Sequence, residues 1–133
     1  MPRLTAAVLL AAAAGLDAHP RMEYEHYQLS NGMQVILHPD FTAPLVHLNL
    51  RFAVGSKHEA PGRSGFAHLF EHMMEEGNDP AHPYNILAGS IGATGVNADT
   101  YADCTDDYET VPANRLERIL WLKSNQWASL PSA

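Results

Sequence analysis

The chain has 133 residues, 46% of them hydrophobic, and a formal net charge of −7, which suits one globular domain with a real core. An acidic chain with no Lys/Arg cluster is a poor candidate for nucleic acid or for an anionic membrane surface. Cys104 is the lone cysteine, so an internal disulfide is excluded and the fold stands without covalent staples.

The first stretch, MPRLTAAVLLAAAAGLDA, carries an early Arg3, an apolar run from Leu4 to Leu16 and a small residue at Ala18. That run is too short to span a bilayer comfortably. The pattern predicts a signal peptide over 1–18, a folded portion over 19–133, and export to the periplasm or the medium, with no membrane association once the signal is removed. Next, EYEHYQLSNGMQVILHP places Asn31-Gly32 between two apolar-rich runs, which predicts a β-hairpin. LVHLNLRFAVG (45–55) alternates, with His47, Asn49 and Arg51 on one face and Val46, Leu48, Leu50 and Phe52 on the other, as in a half-buried strand. His38 and His47 read most simply as strand residues on a polar face.

SKHEAPGRSG (56–65) reads as a loop. Ser64 is the expected N-cap of a helix running to about Glu76, with Gly77 as its stop. A second helix is expected over Tyr84–Ile91, then two strands within GATGVNADTYADCTDDYETV (92–111), with Cys104 as a small half-buried strand residue. A last helix follows Pro112 and offers Leu116, Ile119, Leu120, Leu122 and Trp127 for packing. The order predicts an α+β fold: an antiparallel or mixed sheet with helices packed on one face.

The chemistry is concentrated in HLFEH, residues 68–72. At about 100° per residue, His68, Glu71, His72 and Glu75 fall in one sector of the helix, and Phe66, Leu69, Phe70, Met73 and Met74 fall on the opposite side. Two imidazoles at i and i+4 can converge on one zinc ion, and a carboxylate at i+3 stands beside it as a base for water activation. The same residues also make an ordinary solvated helix face, and the spacing alone leaves both readings open.

H-x-x-E-H is the inverzincin signature. Here it sits in GRSGFAHLFEHMMEEGN, which resembles the pitrilysin/insulysin metallopeptidases, the M16 family. SNGMQVILHPD resembles that family's opening hairpin, and LVHLNLRFAVGSKHEAPGRSGFAH its strand leading into the motif helix. IGATGVNADTYADCTDDYETVP is similar to its Gly-x-x-Asn-Ala-x-Thr stretch, and NRLERILWLKSNQWASL to the helix that follows. The resemblance runs over about residues 23–130.

The resemblance implies a zinc metalloendopeptidase with Zn2+ held by His68 and His72 and Glu71 as general base. It further implies that Asn97 and Ala98 line the substrate cleft, where a peptide or unfolded polypeptide adds as a strand; Tyr108 falls in the neighbouring strand, with packing as its simpler role. The family's third zinc ligand is a Glu on a later helix, beyond Ala133, and a second related half, as domain or subunit, closes the chamber. Two imidazoles alone leave zinc under-coordinated, with Glu75, and less well Glu76, the local substitutes. The expectation is therefore a truncated N-terminal part of such an enzyme. The alternatives are a non-catalytic partner subunit or peptide-binding fragment, and a gene fragment without independent function.

Overall fold

The structure is a computed structural model that describes residues 22–76 and 81–128. The expected signal peptide lies outside the described residues. The chain divides into two compact units at Phe41/Thr42.

In the first unit, β1 (Glu25–Gln28) pairs antiparallel with β2 (Gln34–Leu37), with Gln28 opposite Gln34. The hairpin forms where Asn31-Gly32 predicted it, but not as a two-residue turn. Only Gly32 takes a positive φ, +90°, and Asn31 does not. Gly32 N–H donates to Leu29 O at 2.9 Å and Leu29 N–H to Met33 O at 2.9 Å, the pattern of a three-residue loop closed by a left-handed glycine. His38 lies just past β2, its Nδ1 2.7 Å from Glu23 O.

The second unit is built on a three-stranded antiparallel sheet. β5 (Thr105–Pro112) lies in the middle, with β3 (Leu45–Phe52) on one side and β4 (Thr94–Thr100) on the other. The register explains both faces. Val46, Leu48, Leu50 and Phe52 stand opposite Val111, Glu109, Asp107 and Thr105, and Ala98 and Thr100 stand opposite Asp107 and Thr105. That shared face carries the helices, as the alternation of β3 predicts. The other face holds His47, Asn49, Arg51, Asn97, Asp99, Asp106 and Tyr108. The fold is α+β, with antiparallel pairing throughout the described strands.

Among the described residues, three helices cover the inner face: α1 (Phe66–Glu76), α2 (Tyr84–Ser90) and α3 (Leu116–Ala128). The core brings together Tyr84, Ala88, Ile91, Val111, Ile119 and Leu122, flanked by Val46, Leu48, Leu87, Val96 and Leu116. Phe52 stacks on Trp127, ring centroids 3.9 Å apart. Of the residues expected to pack from the last helix, Leu120 is exposed instead. Its place is taken by Lys123 and Gln126, which share the Ile119 face at helical spacing and are buried. Cys104 is half-buried but sits in the turn between β4 and β5 rather than in a strand.

The polar contents of this interior are unusual. Lys123 Nζ lies 2.5 Å from Asp107 and 3.0 Å from Glu109, and all three are buried. Tyr84 donates its hydroxyl to Glu109 at 3.0 Å. Burial holds the Glu109 carboxyl above its usual range, against the pull of Lys123; burial and then the Glu109 charge push the Tyr84 hydroxyl well above its ordinary value. A buried charge of this kind persists only when paired and hydrogen-bonded.

Candidate metal centre

The start of α1 is set by a residue the sequence reading passed over. Glu59 accepts the backbone N–H of Gly65 and of Ala67, both at 2.8 Å. Those bonds, Ala67 first and Gly65 second, hold the Glu59 carboxyl below its usual range. Glu59 satisfies the helix-end donors that Ser64 was expected to take. The signal available was only an acid a few residues before a predicted helix.

The loop carrying Glu59 is itself pinned. Gly55 lies so close to the β4–β5 turn that a Cβ there would fall 2.2 Å from Tyr101 O. Ser56 N–H donates to Tyr101 O at 3.0 Å and Lys57 N–H to Ala102 O at 2.8 Å. Only a residue with no side chain allows that approach.

Ala67, Glu71 and Met74, spaced i, i+4, i+7, are the buried residues of α1. The helix therefore presses its glutamate sector onto the sheet rather than its greasiest one. Phe66, Leu69, Phe70 and Met73 remain exposed, Leu69 at 52%. Phe66 and Phe70 border an apolar groove of ≈ 400 Å³ with Phe52, Val54, Met74 and Trp127.

On the opposite flank of α1, His68 Nε2 and His72 Nε2 stand 3.0 Å apart, with ring centroids separated by 4.6 Å. Two nitrogens bound tetrahedrally at zinc–nitrogen lengths of about 2.0–2.1 Å would be separated by about 3.3 Å. The pair thus fits the bite of a metal ion with little adjustment; without metal, the same approach suits one ring N–H donating to the other ring. Among the described residues, no three His, Cys, Asp or Glu side chains group to hold a metal ion.

Of the two glutamates beside the histidines, Glu71 is engaged by the sheet. Glu71 is 5% exposed and accepts a hydrogen bond at Oε2 from the Thr100 hydroxyl on β4. Thr100 Oγ1 lies 3.4 Å from Thr105 Oγ1, and Thr105 donates to Val54 O at 3.0 Å. Glu75 Oε2 is 3.8 Å from His72 Nδ1. Burial, and next the neighbouring Glu71 charge, hold Glu75 above the usual carboxylate range.

Asn97 and Ala98 are adjacent in β4 but face opposite ways. Asn97 Nδ2 donates to the Tyr108 hydroxyl at 2.9 Å, which donates to Asp99 at 2.8 Å, all on the sheet face away from the helices. Ala98 lies on the helix side, opposite Asp107 of β5. Tyr108 is thus part of a polar surface chain, not of the core. His47, with Nδ1 3.1 Å from Thr110 Oγ1, lies on that same polar face and away from the His68/His72 pair.

The helix with two converging imidazoles, laid on an antiparallel sheet with its glutamate underneath, carries the H-x-x-E-H pattern of the inverzincin signature. Residues 34–125 match the description Insulinase (Peptidase family M16), and the chain belongs to that family. It is 27% identical over 131 residues to the zinc protease PqqE of Helicobacter pylori (strain ATCC 700392 / 26695), covering 96% of this chain and 29% of that protein. It is 32% identical over 75 residues to the uncharacterized zinc protease YmxG of Bacillus subtilis (strain 168), covering 52% of this chain and 18% of that one. Among solved structures, it resembles a protease from Helicobacter pylori with a TM-score of 0.76 at 26% identity, covering 85% of this chain and 27% of that one. It also resembles the first half of the periplasmic protease PqqL from Escherichia coli, with a TM-score of 0.68 at 26% identity, covering 81% and 25% of the two chains. The chain spans less than a third of the length of each of these relatives.

Proposed function

We propose that this chain carries the metal-binding part of a zinc-dependent metalloendopeptidase and needs further polypeptide to complete its site. The observation that carries the reading is the 3.0 Å approach of His68 Nε2 to His72 Nε2 at i, i+4 spacing. His68 and His72 hold the metal ion, which when bound polarises a peptide carbonyl and acidifies water. Glu71, next to that pair, takes the proton from water and returns it to the leaving amine. Glu75 faces His72 Nδ1 and orients that ring, the role an outer carboxylate plays toward a metal-bound histidine. A third ligand comes from a glutamate outside the described residues, in a further domain or a second subunit. The substrate is a peptide or unfolded polypeptide that runs along β4 past Asn97 and Ala98. The relative described as periplasmic and the pattern of residues 1–18 support export as part of this reading.

The test is a zinc titration of the full chain followed by thermal melting. Saturating zinc raises Tm, and His68→Ala and His72→Ala each abolish the rise. No zinc-dependent rise in the parent chain sinks the reading. The absence of a three-donor group among the described residues favours a second reading, a non-catalytic partner subunit or peptide-binding fragment. Chelator-sensitive cleavage of an unfolded polypeptide, abolished by Glu71→Gln once the missing portion is supplied in trans, decides against it.

A further inference from the structure

We infer that Thr100 is a positioning residue that keeps Glu71 off the metal, reserving its carboxylate as a base rather than a third zinc ligand. The inference rests on the zinc reading above and concerns a contact the motif does not contain. Glu71 directly precedes His72 and lies three residues after His68, so its carboxylate starts close to any ion the imidazoles hold. Carboxylate oxygens bind zinc readily, and a two-histidine site short of a ligand would recruit the nearest one. In the structure Glu71 instead turns under the helix and accepts the Thr100 hydroxyl.

The hydroxyl is committed to that bond. A threonine has one hydroxyl hydrogen and a carboxylate oxygen can only accept, while Thr105, which gives its own hydrogen to Val54 O at 3.0 Å, is the more distant partner at 3.4 Å. The Thr100 hydrogen therefore points at Glu71, and β4, paired to β5 through Thr100 opposite Thr105, holds the donor still. Glu71 is 5% exposed, so without this donor its carboxylate would be buried and unpaired. That state is costly, and the side chain's way out is the sector where the imidazoles stand. The sheet thus decides what the helix glutamate does.

The experiment is zinc affinity of the full chain, measured by competition with a chromophoric chelator and zinc alone as the probe. Thr100→Val keeps the β-branched shape and removes the donor; it tightens zinc binding by about tenfold, the scale on which outer groups act on metal sites. The gain disappears in Thr100→Val/Glu71→Gln, and Thr100→Ser, which keeps the hydroxyl, binds like the parent. Glu71→Gln alone weakens zinc far less than His68→Ala does, an arm that does not depend on the valine variant folding. Two outcomes overturn the inference while leaving the zinc site intact: Thr100→Val equal to the parent while His68→Ala abolishes binding, or Glu71→Gln weakening zinc as His68→Ala does. A parent chain that binds no zinc removes the metal reading, and the inference with it.

Discussion

Glu59 accepts the N–H of Ala67 at 2.8 Å, one residue before His68. The first turn of the motif helix is therefore fixed from outside, by an acid on a loop that is itself docked on the β4–β5 turn. This couples the place where the metal-facing side chains begin to the strand that supplies Thr100. An acidic group at a helix N-terminus also meets the positive end of the helix dipole.

Replacing Glu59 with Ala is expected to lower Tm by a few degrees at neutral pH, with Glu59→Gln intermediate because one neutral oxygen still accepts. The folded carboxyl is held below its unfolded value. Its contribution is therefore fully present above the unfolded carboxylate pKa and is lost as pH falls through the lowered folded value. Melting curves of parent and Glu59→Ala from neutral to acidic pH should converge on the acid side. A gap that stays constant with pH would assign the effect to something other than this ionised cap.

Lys123 offers a larger effect of opposite pH sense. Removing it as Lys123→Met leaves Asp107 and Glu109 buried without their cation, a loss of about 3–5 kcal/mol for breaking a buried pair. Glu109 is already raised above its usual range by burial, and without Lys123 it rises further. A carboxyl with a raised folded pKa contributes most below its unfolded value, and that contribution fades as pH rises through the folded value. The variant should thus be weakest at neutral pH and regain stability on acidification, as denaturant melts at several pH values can measure. Adding Asp107→Asn and Glu109→Gln should recover part of the loss.

How far the sequence carried these conclusions differs from element to element. The β3 alternation and the Asn31-Gly32 pair reported real elements because each depends on neighbours in the chain. The His68/His72 pair was legible for the same reason, since i, i+4 spacing is a local geometry. What faced α1 was not. The helix wheel puts Phe66, Leu69, Phe70 and Met73 on the greasy side, yet Ala67, Glu71 and Met74 are the residues it buries. Thr100 and Glu59 lie 29 and 8 residues from the groups they bind, and no periodicity within α1 encodes a partner on another element. The Lys123–Asp107 pair left no trace in the sequence for the same reason: it exists only once α3 lies on β5.

Two glycines make a paired test of the scaffold under the site. An alanine Cβ at Gly55 would sit 2.2 Å from Tyr101 O and 2.8 Å from Ala102 C and Asp103 N, all backbone atoms that cannot swing aside. Gly89, in α2, has nothing within 4 Å of the same added atom. Gly89→Ala should stabilise by about 0.5–1 kcal/mol, because alanine loses less backbone freedom on folding. Gly55→Ala should instead cost about 1–3 kcal/mol, at the upper end for a clash with backbone. The two variants also separate stability from the site. The loop at Gly55 carries Glu59 and rests on the turn that follows Thr100, so Gly55→Ala should weaken zinc binding while Gly89→Ala leaves it unchanged. Equal zinc affinities in folded samples of both variants would mean that the loop supports the fold without setting the position of α1.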